Sequence, residues 1–377
     1  MSTQVQPQIE IPARLKPADG RFGCGPAKIR PQAMEQLQRQ AATFLGTSHR
    51  QSTVRTVVGG VRSGLSRLFQ LPEGYEVLLG NGGSTCFWDC ATFSLIERKS
   101  QHLSFGEFSA KFAVAAKAAP HLSDPEVIVS PPGRHPDAIA RADVDVYALT
   151  HNETSTGVAM PIRRPAGAEG LVVVDGTSAA GGLRVDSEQF DAYYFSPQKC
   201  FASDGGLWLA ACSPAAVERI ERIHRSGRWT PAFFDLGLAL DNSRLDQTYN
   251  TPALATLFLL AEQVSWLNEN GGLEWAAGRC DESARVLYGW AERTEWTRPF
   301  VERQEDRSHV VATIDLAPGI DAGRVAQLLR QNGIVDTEAY RKLGRNQLRI
   351  ALFPAIEPAD VGALTACIEY VAERLQA

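Results

Sequence analysis

Lys199 sits in an unusual place for a lysine. The run YYFSPQKCFASDGGLWLA at 193–210 carries an aromatic, strand-like segment to Ser196 and Pro197 and presents Gln198 and Lys199. It then turns through Gly205 and Gly206 into a second strand-like segment at 207–212. A lysine held between two buried strands loses hydration, so its pKa falls and the neutral amine can attack a carbonyl carbon, as Schiff-base chemistry requires. The same pattern also fits a surface lysine on a hairpin, so the upstream residues have to decide.

Asp175 closes the apolar run LVVVD, where a buried carboxylate needs a partner. The run YEVLL leads into GNGGS at 80–84 and then a helix-compatible stretch, an arrangement that lets the backbone amides of Gly83, Ser84 and Thr85 hold a phosphate at a helix N-terminus. It is neither a Walker loop nor GxGxxG. Phe108 follows the run HLSF and offers a ring face to a heteroaromatic ligand, while THNETSTG after VDVYAL sets Asn152, Glu153 and Thr154 in a polar turn. Each has a plainer reading: core filler for Phe108, an Asx-type turn for Asn152, a helix cap for Asp175. Together, a lysine nucleophile, a buried acid, a stacking ring and a glycine loop describe a site for pyridoxal 5'-phosphate. In that reading Asp175 pairs with the pyridine nitrogen, and Lys199 is both the cofactor's anchor and the base that moves the substrate's α-proton.

The elements that must position these groups are legible. Between 75 and 212 short apolar runs recur with helix-compatible stretches such as 85–96 and 109–118 between several of them. This alternation predicts an α/β fold with a mostly parallel sheet, helices on both faces and ligands at the carboxyl ends of the strands. Before the sheet, FGCGPAKIRP reads as an ordered loop entering a helix at Pro31. Apolar spacing from Val54 to Leu68 predicts a second helix, with Ser48 as its N-cap and His49 and Arg50 at its positive end, either an oxyanion pocket or a solvated helix start. Helical patterns follow to about residue 273. The remainder, with strands HVVATIDL and LRIALF and helices at 322–331 and 358–375, reads as a smaller α+β domain. The predicted division is an N-terminal segment 1–30, a large cofactor-binding domain 31–270 and a small C-terminal domain 271–377.

With 377 residues, 44% hydrophobic and 21% charged, the chain has the composition of an ordinary globular protein. A net charge of −5 without a basic run argues against nucleic acid and anionic membranes as general partners. No apolar leader opens the sequence and no membrane-length apolar run occurs, which predicts a cytoplasmic protein. Seven cysteines without a CxxC pair and scattered histidines suggest neither a disulfide framework nor a metal site.

The motifs SHR at 48–50, HNETSTG at 151–157, VVVD followed by TS up to 178, PQK at 197–199, NTP at 250–252 and YRKLGRNQLR at 340–349 resemble the phosphoserine aminotransferases, fold-type I, class V pyridoxal-phosphate enzymes, in their actinobacterial branch. The likeness spans nearly the whole chain. It implies Lys199 as the Schiff-base lysine, Asp175 as pyridinium partner and Phe108 at a stacking position more often held by Trp. It also implies Thr154 at the cofactor's phenolic oxygen, and Ser84, Thr85, Ser178 and Gln198 near its phosphate. Asn250 and Thr251 would come from the second subunit of a homodimer. His49, Arg50 and Arg341 would hold the substrate phosphate, Arg341 from the neighbouring subunit, with Arg349 on the α-carboxylate; arginine suits both through bidentate pairing. The implied reaction exchanges an amino group between glutamate and 3-phosphohydroxypyruvate on the route to serine. Use of 4-phosphohydroxythreonine in pyridoxine biosynthesis stays open. The sequence departs from the pattern at Cys200, usually Asn, at Tyr340, often His, and in a longer spacing between Arg341 and Arg349. The rival readings are another class V enzyme, such as an alanine-glyoxylate-type transaminase, and a non-catalytic cofactor- or nucleotide-binding regulator.

Overall fold

A computed structural model describes residues 9–376; the first part of the predicted N-terminal segment, 1–8, and residue 377 lie outside the described residues. The chain opens with α1 (Pro31–Phe44), which has proline at its first turn, and α2 (Ser52–Leu68). It continues through β1 (Glu76–Asn81), α3 (Gly83–Ser94), β2 (Ser100–Ser104), α4 (Glu107–Ala118) and β3 (Glu126–Val129). Next come β4 (Val146–Thr150), the small hairpin β5 (Asn152–Glu153) and β6 (Val158–Ala159), then β7 (Leu171–Asp175), β8 (Ala192–Phe195) and β9 (Leu207–Cys212). Helices α5 (Pro214–Arg225), α6 (Leu236–Arg244), α7 (Leu254–Glu269) and α8 (Gly272–Arg293) lead to β10 (Thr297–Pro299), β11 (Val311–Leu316), α9 (Ala322–Gln331), β12 (Gln347–Ala351) and α10 (Pro358–Gln376).

The main sheet has the order β1-β9-β8-β7-β4-β2-β3, and β9 alone runs antiparallel to its neighbours. Strands such as LVVVD are buried on both faces because helices cover both. Val77, Leu79, Val172, Val174, Tyr193 and Phe195 point to a core shared with α2 and α7, while Leu78, Val146, Val173, Tyr194 and Trp208 meet α3, α4, α5 and α6 on the other side. Since β1, β2, β4, β7 and β8 are parallel, their carboxyl ends share one edge, and the start of the reversed strand β9 joins them there.

A third core combines α8, α9, α10 and the sheet β10-β11-β12 with Ile9, Ile11 and Phe22 from the opposite end of the chain. Backbone bonds from Val335 to Gly20 and from Ala351 to Phe22 tie the N-terminal segment into that layer. Patterns within either segment alone do not reveal this, because each hydrogen bond spans more than the length of the main sheet's sequence.

Two local expectations are corrected. Ser48 does not cap α2: its carbonyl accepts the Gln51 amide in a turn and Gln51, in an extended conformation, is the residue before the helix. His49 and Arg50 therefore precede the helix instead of lying in its first turn. Phe108 belongs to the first turn of α4, which begins earlier than the apolar spacing implied. Among the described residues no helix is long and apolar enough to cross a membrane.

Candidate active site

The shared strand edge encloses a cavity of about 400 Å³. Its floor is the β1–α3 junction, where Gly82 and Gly83 have φ of +107° and +72°. A Cβ on Gly82 would lie 2.6 Å from Cys86 Cβ, so this turn demands glycine both for its backbone and for space. The Ser84 amide donates to Ser196 Oγ at 2.7 Å, and Ser84 Oγ lies 2.7 Å from Thr177 Oγ1. That amide is paired within the protein, while the Ser84 hydroxyl, Thr85 and the positive end of α3 lie at the cavity wall.

Lys199 enters from the β8–β9 connection, and its Nζ donates to the Cys24 carbonyl at 2.7 Å, with Thr154 Oγ1 at 3.5 Å. Burial lowers its pKa to about 8. The N-terminal segment thus roofs the amine: a Cβ on Gly25, whose φ is +135°, would fall 2.9 Å from Nζ. The Phe108 ring centroid is 5.8 Å from the same Nζ.

Asp175 is buried in the same cavity wall. Its Oδ1 accepts the Thr177 amide at 2.9 Å, and its Oδ2 faces the Tyr194 hydroxyl at 3.2 Å and Trp88 Nε1 at 3.4 Å. Desolvation pushes the Asp175 pKa up, against those hydrogen bonds. Ser178 Oγ accepts from Asn152 Nδ2 and Thr154 Oγ1 and donates to the Asn152 carbonyl, so both polar residues of the β4 turn are braced against the β7 turn.

Glu153 has no exposed surface and no cationic partner; instead it caps α4. Its carboxylate accepts the amides of Phe108 at 3.1 Å, Ser109 at 2.8 Å and Ser155 at 3.1 Å, together with the Ser155 hydroxyl at 2.7 Å. The helix dipole and these donors replace its hydration. Glu153→Gln turns one acceptor into a donor facing amide hydrogens, so denaturant unfolding should show a loss of about 1 to 3 kcal/mol. Unchanged stability would exclude the capping role.

The remaining predicted residues lie outside the cavity wall. Arg349 Nη1 donates to the Thr154 carbonyl at 3.4 Å, its Nε is buried without a partner, and its guanidinium lies 5.2 Å from the Tyr340 ring centroid. Tyr340 in turn meets Phe108 at 5.9 Å. Lys342 pairs with Glu107 of α4, so residues 340–342, Arg341 included, dock beside their own chain's cavity. Arg341 itself is exposed, without a hydrogen bond or ion pair among the described residues. His49 and Thr251 meet at 3.2 Å (Nδ1 to Oγ1), and Asn81 Nδ2 donates to the carbonyls of Asn250 and Thr251. Asn250, Thr251 and Arg50 are exposed and do not reach the cavity of their own chain.

Residues 22–337 match the model of the family described as aminotransferase class-V. The chain belongs to that family. It is 59% identical to a phosphoserine aminotransferase of a Nocardioides species over 97% of this chain and 99% of that one. It is 58% identical to a phosphoserine aminotransferase of Rhodococcus jostii, over 97% and 98%. The crystal structure of a phosphoserine aminotransferase from Cytophaga hutchinsonii shares the fold, with a TM-score of 0.86 at 23% identity over 93% of this chain and 99% of that chain. The protein is thus an enzyme of the class-V aminotransferases with their α/β fold.

Within this class-V framework the sequence reading missed several contributors. Trp88 was only part of a helix-compatible stretch and Tyr194 only part of a strand, yet both reach Asp175. Cys24 acts through its carbonyl, which no side-chain pattern can announce. Glu153 was grouped with its turn, although its position between Asn152 and Thr154 was the available signal.

Proposed function

We propose that the protein is a phosphoserine aminotransferase that uses pyridoxal 5'-phosphate to exchange an amino group between glutamate and 3-phosphohydroxypyruvate, yielding 2-oxoglutarate and O-phospho-L-serine. The observation that carries it is the buried Lys199 amine facing the same cavity as the buried Asp175 carboxylate. The full-length relatives at 58–59% identity support the substrate class.

The cavity suits the cofactor by its polar lining. Gln198 Oε1 and Asn152 Oδ1 are buried acceptors on cavity-lining residues without hydrogen-bond partners, and amides so placed call for a polar ligand. Lys199, Asp175 and Thr154 would hold the ring's substituents, Phe108 its face, and Ser84, Thr85, Ser178 and Gln198 the phosphate end. When bound, pyridoxal phosphate supplies an aldehyde carbon that captures amino groups and a ring that accepts the electrons of a broken C–H bond. The chain supplies the rest. Asp175 holds a proton at the ring nitrogen, and burial strengthens that pairing. Lys199 Nζ, whose lowered pKa of about 8 gives it a larger neutral fraction than an ordinary lysine, takes the proton from the substrate Cα. Arg349, with an unpartnered Nε, binds the α-carboxylate, and the exposed Arg341 is the candidate for the substrate phosphate.

His49, Arg50, Asn250 and Thr251 form a group outside their own cavity, which supports a homodimer in which they complete the partner's site. The free state of all seven cysteines accords with action in the reducing cytoplasm.

The test is a half-reaction without oxo acid. Phosphoserine should convert the cofactor's visible band to the pyridoxamine form, and serine, lacking the phosphate, should do so at least about 100-fold less efficiently, as expected when charged hydrogen bonds go unmade. Equal efficiency for the two substrates would discard the phosphate pocket while leaving the class-V chemistry standing.

A further inference from the structure

The Oδ2 side of Asp175 carries an arrangement, reaching to Trp88 in the cavity wall, that the reaction as proposed does not use. Tyr194 stands beside Asp175 in the register of β7 and β8, and its hydroxyl lies 3.2 Å from Oδ2. Trp88 Nε1 donates to that hydroxyl at 2.8 Å and lies 3.4 Å from Oδ2 as well. An indole N–H has one hydrogen and no acceptor capacity, so it must give that hydrogen chiefly to the nearer oxygen. The tyrosine hydroxyl, accepting from Trp88, is left to donate its own hydrogen to Asp175. The direction of the chain is thereby fixed as Trp88 to Tyr194 to Asp175.

The rings are held as firmly as the hydrogen bonds. Tyr194 stacks on Phe87 at 4.3 Å and 23°, with Phe112 edge-on at 6.4 Å. Trp88 lies on α3, the helix whose N-terminus forms the cavity floor, so the chain of donors joins that floor to the carboxylate. Oδ1, by contrast, takes its donors from Thr177 at the cavity wall. We propose that Tyr194 and Trp88 are positioning residues of the site: a two-step donor relay that favours the charged form of Asp175 and binds Oδ2 to the wall, leaving Oδ1 for the ligand's ring nitrogen. A buried carboxylate without such donors takes up a proton itself and can no longer partner a cation. The titratable groups bearing on Asp175 are Tyr194, Tyr193 behind it, and Lys199 across the cavity.

This inference rests on the pyridoxal-phosphate reading, and the experiment separates the two. The holoenzyme, Tyr194→Phe and Trp88→Phe are compared without substrate, by the dissociation constant of the cofactor and by the pH midpoint of its visible band. Tyr194→Phe keeps the ring packing and removes one charge-directed donor. It should weaken cofactor binding about tenfold and move the midpoint, and Trp88→Phe should move both in the same direction by less. A Tyr194→Phe enzyme with wild-type dissociation constant and midpoint overturns the relay, even if it melts earlier, since a purely structural role would lower stability alone. Should Tyr194→Phe not fold, an unchanged midpoint in Trp88→Phe overturns it. A wild-type protein that forms no visible band with added cofactor overturns the functional reading and the relay together.

Discussion

Lys199→Ala should lower the half-reaction rate with phosphoserine by at least about 10⁴-fold, the combined weight of a covalent anchor and a general base. The fold should survive, because Nζ makes one good hydrogen bond, to a backbone carbonyl, and the substitution removes a buried cation instead of stranding one. The same lysine sets a pH dependence. Its amine has a pKa of about 8, below the usual 10.5, because burial penalises the ammonium. In cofactor-free protein the rate of capturing added pyridoxal phosphate should therefore rise about tenfold per pH unit up to about 8 and level off above it, following the fraction of neutral amine. An ordinary exposed lysine would continue to gain well beyond pH 9. Stability carries the matching sign: between pH 8 and 10.5 the unfolded chain binds the extra proton, so the cost of burying Lys199 falls and stability rises as pH increases through that window. Stopped-flow absorbance of the lysine variant, with intact circular dichroism as control, checks the first point; residual turnover within tenfold of wild type would remove Lys199 from the chemistry.

Asp175→Asn should reduce turnover by about 10- to 100-fold, matching the roughly 1.5 to 3 kcal/mol carried by a hydrogen bond to a charged group. Cofactor retention should fall less, since the phosphate end and the Phe108 face are untouched. Burial raises the Asp175 pKa while the Thr177 amide, Trp88 and Tyr194 lower it. These donors favour the charged carboxylate against the larger effect of burial, and asparagine offers them only one acceptor oxygen. Single-turnover rates measured beside the cofactor dissociation constant separate the two effects. Turnover equal to wild type would show that Asp175 is not the ring-nitrogen partner.

The alternation of apolar runs was enough to place the parallel strands, because strands buried on both faces are written as continuous apolar stretches, LVVVD and AYYF among them. The residues Ser84, Thr154, Asp175 and Lys199 could be picked out by type, since a polar group beside such a run has few reasons to be there, and Phe108 by its ring just past a strand end. Local starts and caps were less legible. Ser48 had the right chemistry for an N-cap, yet the turn it forms with Gln51 displaced it from that role.

The sequence by itself determined the fold class, the lysine and its acid, and the likeness to phosphoserine aminotransferases, since periodicity and short motifs are local properties of the chain. Tertiary structure alone decided which groups meet. It brought the Cys24 carbonyl onto Lys199, Trp88 and Tyr194 onto Asp175, and residues 340–342 onto α4, while leaving His49, Arg50, Asn250 and Thr251 outside their own cavity. These contacts join segments far apart in the chain through backbone atoms, ring edges and single hydroxyls. Such pairings depend on the direction and spacing of packed elements, which no residue type encodes.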